Sequence, residues 1–430
     1  MRVRPRVLLT AVSFACVAAW TPALAVADMS PTLEARALLP ADATWPAPFP
    51  GIPNAPEPVD APGSVQPVGG FSALVDGGHG TWLAMPDNGF GSKANSRTFL
   101  LRVYRVRPRF EPDATGTVKI LEAITLRDPD HRIPFAIVRD GTPDRLLTGG
   151  DLDIESVRMD RRGTLWFGDE FGPFLLNTDA TGKVLRAPIP LPDVTSPDYP
   201  SDYPAPFAGP ANLASSNGFE GMALTKDGRT LLPALEGPVA GDDPHLRRMY
   251  EFDLRHMRYT PVRRTYAVDD PAYLVSDLSA LDEDHLVALE RDNFQGIQAR
   301  HKRGFVVSLD GDGAPGTPLP KREVVDLLSL ADPRGISLPG RPGDIGLGNP
   351  FSMPYVTIEA VLPLGGSRLA IVNDTNFGST GRNPALPDYS DFIVVKVPGL
   401  RKGWFAAVRL PPGTVRALGC DVSRDRHGCS

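Results

Sequence analysis

Apolar and polar residues alternate in short runs along most of this chain, and the runs come in pairs. Residues 151–176, DLDIESVRMDRRGTLWFGDEFGPFLL, set the pattern. It predicts a short strand over 156–159, a turn at Asp160-Arg161-Arg162-Gly163 and a return strand over 164–167. Carboxylates precede the outgoing strand (Asp153, Glu155), and an acidic pair, Asp169 and Glu170, follows the return. Antiparallel partners begin and finish at one edge of a sheet, so Glu155 and Glu170 are expected close in space.

The same grammar recurs. Residues 219–237 place Glu220 before a strand, a turn at Asp227-Gly228, and Glu236 after the return. Residues 358–376 place Glu359, a Gly365-Gly366 turn, then Asp374 and Asn376. Two looser copies carry Ser72 and Asp87, and Asp277 or Ser279 with Glu290. Five copies of one hairpin imply a repeat architecture. Most copies are followed by alternating segments suited to outer strands, and helical periodicity is almost absent, so the chain is expected to be all-β. Successive units lie farther apart than the usual 40 to 50 residues of a propeller blade. Two Pro-rich insertions, residues 192–216 and 332–354, absorb part of the excess as surface loops. A β-propeller of six blades is expected, with five or seven as alternatives, and with the last strands pairing against the N-terminal segment to close the ring.

The ends change the picture of address. A basic start, an apolar run from Val7 to Trp20 and small residues at Ala23-Leu24-Ala25 have the form of a secretory signal over residues 1–25. Residues 26–67 are Pro-rich and are expected to form an extended lead-in, with regular structure beginning near Val68, the propeller over 68–418 and a polar tail over 419–430. Beyond the signal, two cysteines remain, Cys420 and Cys429, whose even count in an exported chain predicts a disulfide. A net charge of −6 makes no case for nucleic acid or an anionic membrane surface, and no later run is apolar enough to span a bilayer. The expectation is a secreted or periplasmic monomer acting on a small anionic or ester substrate.

In a propeller the innermost strands line the channel, and one edge of each converges on the axis. The hairpins then gather Asp87, Glu155, Glu170, Glu220, Glu236, Glu290, Glu359 and Asp374 around one mouth. Any one of these acids is explained by turn chemistry, but an acid after so many return strands is not. Like charges raise one another's pKa values, and a cation relieves them. Oxygen ligands with amides nearby suit a hard ion, Ca²⁺ or another divalent metal. The candidate ligands are Asp87, Glu155, Asn217, Glu220, Glu236, Glu359 and Asp374, and the candidate catalytic groups are Glu170, Glu290 and Arg291, the last placed to meet an anionic substrate. There is no Gly-x-Ser-x-Gly elbow and no His-Glu-x-x-His, and the Gly-rich pieces lack the setting of a phosphate-binding loop.

Four stretches, residues 151–175, 216–238, 276–292 and 358–378, together resemble the exported bacterial phytase-like domain family, described by an esterase-like activity of phytase. The resemblance runs from about Phe71 to Val397. It implies a hydrolase of phosphoric or other small esters. A more distant similarity, carried by SNGFEG at residues 216–221, is to calcium-dependent propeller lactonases, and it leaves a lactonase or carboxylesterase as an alternative. A propeller that only binds its ligand is the third.

Overall fold

The computed structural model describes residues 30–206, 208–310 and 317–400. The signal segment, the last residues of the expected propeller (401–418), the tail and Cys420 and Cys429 all lie outside the described residues.

Five four-stranded antiparallel sheets make up the fold. The first blade runs β4 (Ala73–Gly78), β5 (Thr81–Met85), β6 (Arg102–Glu111) and β7 (Ala114–Thr125) from inside outwards. The second is β8 (Ile154–Met159), β9 (Leu165–Asp169), β10 (Phe174–Thr178) and the short β11 (Ile189–Pro190). The third is β12 (Phe219–Leu224), β13 (Thr230–Leu235), β14 (Leu246–Asp253) and β15 (Arg258–Ala267). The fourth is β16 (Leu274–Ala280), β17 (His285–Arg291), β18 (Lys302–Ser308) and β19 (Lys321–Asp326). The fifth takes β20 (Ile358–Gly365), β21 (Arg368–Asn373) and β22 (Ser390–Lys396), with β1 (Thr32–Leu39) as its outermost strand. A two-stranded ribbon, β2 (Thr44–Pro46) with β3 (Val65–Pro67), lies on the path from β1 to the first blade.

The inner strands β4, β8, β12, β16 and β20 neighbour one another in sequence order, and β20 returns to β4. The ring therefore closes with five blades, not six. The five acid-flanked hairpins are its five inner hairpins, and the length that suggested a sixth blade lies in the long connections between strands, chiefly residues 126–153, 191–218 and 327–357. Each blade buries both faces against its neighbours, which is why the inner strands are apolar almost throughout. Five separate cores result, one at each blade interface: Ile154 and Phe167 pack on Ala73 and Met85, for example, and Phe219 on Trp166.

Closure is built from the N-terminal segment. Seven residues of β1 pair antiparallel with β22, from Thr32 opposite Lys396 to Leu39 opposite Ser390, and Ala37 and Leu38 pair parallel with Gly116 and Thr117 of the first blade. Regular structure thus begins well before Val68. The Pro-poor run TLEARALL had the alternation of a strand but was hidden beside proline-rich sequence. Arg36 of β1 donates from Nε and Nη2 to the Asp391 carboxylate of β22 at 2.8 to 3.1 Å, and both are buried. Tyr355 donates to the same carboxylate at 2.8 Å, and Arg382 lies 3.3 Å away. Burial alone would push Asp391 up, but the charge and hydrogen bonds of Arg36 outweigh it and hold the carboxyl below its ordinary range. A depressed carboxylate stabilises the fold above its unfolded pKa and loses that contribution as pH falls through the folded value.

Asp391→Ala leaves two buried guanidinium groups short of their counter-charge, so urea unfolding at neutral pH should show a loss of about 3–5 kcal/mol. The difference from the parent protein should narrow only below about pH 4. An unchanged urea midpoint would mean that this pair does not hold the ring closed.

Candidate functional site

The inner hairpins of blades two to five carry the same irregularity at their channel ends. In blade two, Ile154 pairs with Asp169 and Ser156 with Gly168, which leaves Glu155 as an extra residue. In blade five, Ile358 pairs with Asn373 and Ala360 with Val372, leaving Glu359. The register also shifts after Phe219 in blade three and after Val275 in blade four, at Glu220 and Ser276. A bulge of this kind re-aims a side chain that the pleat alone would send elsewhere. The apolar residue before it (Ile154, Phe219, Ile358) is buried in a blade interface, while the glutamate lines the mouth. One residue past the partner of that apolar residue comes the second position: Glu170, Glu236, Arg291 and Asp374 in blades two to five.

The mouth is a cavity of about 410 Å³. The structure brings Asp87, Glu155, Glu170, Asn217, Glu220, Glu236, Arg291, Glu359 and Asp374 to its walls. It excludes Glu290. That residue pairs with Val275 and is turned into the blade, where its carboxylate meets His301 Nε2 at 3.0 Å, together with Tyr266 and Lys321. Burial alone would raise Glu290, but these hydrogen bonds hold it below its ordinary range. A strand register one residue different from the simple hairpin reading thus puts Arg291 where the other blades put an acid. Asp277 also stays out of the mouth: it bonds Arg158 of β8 at 2.8 Å and accepts from the Val361 N–H at 2.9 Å. The turns at the far ends of the same hairpins, with Asp160 and Asp227, line a different depression of about 580 Å³.

Asp153, which opens the repeat beside Glu155, was not among the expected ligands. It lies two residues before Glu155, a spacing that shares a face in an extended chain, and it lines the same mouth. Ser215, Ser216 and Asn217, where the first Pro-rich insertion returns to β12, form part of the wall. Two glycines make the crowding possible. A Cβ on Gly70, whose φ is +79°, would fall 1.5 Å from Asp374 Oδ1, and one on Gly218 would fall 2.4 Å from the Glu170 Cα.

Electrostatics divide the ring into two halves. Arg291 Nη2 lies 3.2 Å from Glu236 Oε1, 3.2 Å from Glu359 Oε1 and 3.9 Å from Glu220 Oε1, and it is buried with them. Burial alone would lower Arg291, yet Glu359, Glu236 and Glu220 raise it, so it stays a fixed cation. Asp374 is served by backbone, its Oδ1 accepting the Thr375 and Asn376 N–H groups. On the other side stand two trios, Asp87 with Asp153 and Glu155, and Glu155 with Glu170 and Glu220, each able to offer oxygens within 4.8 Å of one another. Among the described residues no donor reaches Asp153 Oδ1 or Glu170 Oε1, although both are buried. Desolvation by burial, and then the neighbouring carboxylates, raise Asp153, Glu155, Glu170 and Glu220 well above their ordinary values. Asp87 is pushed up to about 7 by burial and Glu359, and Glu236 to about 7 by burial despite Arg291.

The fit to a cation is good on these observations. Oxygens within 4.8 Å of one another match a Ca²⁺ with ligands at about 2.4 Å, and buried carboxylate oxygens without donors are what such an ion satisfies. Asp87 with Asp153 and Glu155, or Glu155 with Glu170 and Glu220, could hold it. Glu236 and Glu359, expected as ligands, are instead engaged by Arg291, and Asn217 sits with its Nδ2 at 3.4 Å from Glu236 Oε2.

Fold and site together define a five-bladed β-propeller with an acidic cavity at one end of its channel. The chain matches the family described as phytase-like, esterase-like activity of phytase, over residues 66–377, and it belongs to that family. An uncharacterized secreted protein of Arthroderma benhamiae is 28% identical over 126 residues, which are 24% of this chain and 24% of that one. The match thus spans about a quarter of that relative's length. Among solved structures, the Dos1 propeller is similar at 12% identity and a TM-score of 0.31, over 75% of this chain and 66% of that one. The PQQ-bound aldose sugar dehydrogenase of Streptomyces coelicolor is similar at 12% identity and a TM-score of 0.33, over 86% and 99%. These likenesses are too remote to say anything of activity. Among the described residues no helix is long and apolar enough to cross a membrane.

Acids whose folded pKa lies above the unfolded value bind more protons when folded, so the metal-free protein loses stability as pH rises through that window. With Glu236 and Asp87 at about 7 against ordinary values of 4.5 and 3.8, chelator-treated protein should melt higher at pH 5 than at pH 7.5. Added Ca²⁺ should flatten that slope by competing with the protons. A metal-free melting temperature that rises with pH across this range would contradict the charge crowding.

Proposed function

We propose that this chain is an exported, metal-dependent hydrolase of small esters, working as a monomer at the propeller mouth, with phosphoric esters first among its substrates by family membership. The observation that carries the reading is the half of the ring that Arg291 does not neutralise, where Asp153 Oδ1 and Glu170 Oε1 are buried without a donor inside carboxylate trios. The form of the N-terminus and the secreted relative support export.

The trio of Asp87, Asp153 and Glu155, or that of Glu155, Glu170 and Glu220, would hold the cation, with Ca²⁺ the ion best suited to all-oxygen ligands. When bound, it supplies positive charge opposite the ester oxygen on which negative charge develops. Glu170 lines the same cavity and would help fix the position of the attacking water. Glu236, at about 7, has one oxygen held by Arg291 and the other beside Asn217, so it can take the water proton near neutral pH and return it to the leaving alcohol. Arg291 acts by keeping Glu236 and Glu359 in place. Ser215, Ser216 and Asn217 offer the hydroxyl and amide groups that orient a substrate against the wall.

One observation favours a carboxylic ester or lactone over a phosphate. The guanidinium of Arg291 is already committed to carboxylates, and among the described residues that line the mouth there is no other Lys or Arg to meet an oxyanion.

A panel of phosphoesters, lactones and carboxylic esters, assayed after EDTA treatment and after Ca²⁺ is restored, tests the proposal. Turnover should vanish with chelation and return with the ion. Glu155→Gln should lower it by about 10- to 100-fold or more, while Asp227→Asn, at the far turns, should leave it within about twofold. Metal-dependent turnover of none of these esters would favour a propeller that only binds its ligand.

A further inference from the structure

The two carboxylate trios are not alternatives for one position. They share Glu155 and nothing else, and each contains one of the two donorless buried oxygens: Asp153 Oδ1 in the first and Glu170 Oε1 in the second. Asp153 and Glu170 are each more than nine-tenths buried and face the mouth. One cation seated in either trio leaves the orphan oxygen of the other unmet.

Charge points the same way. Ionised for metal binding, Asp87, Asp153, Glu155, Glu170 and Glu220 would place five negative charges on this side of the ring, and the fixed cation Arg291 touches only the edge of the group, at 3.9 Å from Glu220. A single divalent ion would leave three of those charges in a buried space, and two ions would leave one. A carboxylate has two oxygens and can serve two ions at once, and the middle of three consecutive blades is where such a bridge would have to stand. Glu155 stands there, lifted into the mouth by its bulge.

We propose that the mouth holds a pair of divalent cations, one within Asp87, Asp153 and Glu155 and the other within Glu155, Glu170 and Glu220, with the Glu155 carboxylate common to both. This rests on the reading of the mouth as a metal site and deepens it.

The test counts ions, with no need of a substrate. The full exported chain is stripped with EDTA, dialysed and titrated with Ca²⁺ by calorimetry, with elemental analysis after gel filtration. Two ions per chain are expected. Asp153→Asn and Glu220→Gln should each reduce the count to one, and Glu155→Gln should weaken both sites by tenfold or more. Mn²⁺ loaded in place of Ca²⁺ should give the exchange-coupled electron paramagnetic resonance signal of a bridged pair, and Asp153→Asn should convert it to that of an isolated ion. Circular dichroism and the melting curve report whether each variant is folded. Should Glu155→Gln fail to fold, the Mn²⁺ signal of the parent chain decides the bridge. A parent chain that binds one ion would overturn the pair and leave the single-ion hydrolase standing. Two ions without magnetic coupling would overturn the bridge, and no ion at all would overturn both readings.

Discussion

A ring of blades keeps its shape only if the last blade is fastened to the first, and here one strand does the fastening. β1 supplies the outer edge of the fifth blade and touches the outer strand of the first, so that residues far apart in the chain become one continuous sheet. The buried meeting of Arg36 with Asp391 adds direction to that pairing, because an ion pair sealed from water tolerates only one register. Everything at the mouth depends on it. Five hairpin ends meet at a single cavity because no gap is available into which the inner strands could relax.

Convergence has an electrostatic consequence that the fold itself answers in part. Eight carboxylates from four blades face one cavity, and burial makes their mutual repulsion far stronger than it would be in water. The fourth blade answers with Arg291, in the place that its neighbours give to acids. The remainder falls between the first three blades, where the described residues that line the mouth include no side chain of opposite sign. The asymmetry gives the cavity a side that is already balanced and a side that must recruit its balance from solution.

Much of this was legible in the alternation of the sequence. The repeated hairpin announced a propeller, and the acids at its ends announced where they would meet, since both follow from antiparallel pairing alone. What was hidden depended on register. Glu290 and Arg291 are neighbours, and only the bulge after Val275 determines which of them faces the channel. The count of blades was obscured because connections such as residues 126–153 and 327–357 add length without adding strands. β1 was obscured because its neighbours in sequence are prolines while its partners in space lie at the other end of the chain. The division of labour among the acids was beyond sequence for a further reason: which of them Arg291 reaches is a matter of ångströms across three blades.

The bulge that lifts Glu155 has a bearing on how such a site could arise or disappear. An ordinary strand changes its exposed chemistry by substitution, one side chain at a time. Here the glutamate is present at the mouth because the outgoing strand carries one residue more than its partner. Removing that residue would not trade one ligand for another, since it would restore plain alternation and carry the apolar neighbour toward the opening. The first-position acids of the mouth are thus governed by small insertions and deletions at strand ends, and hairpins of equal composition without the extra residue would build the same propeller around a channel that lacks those glutamates.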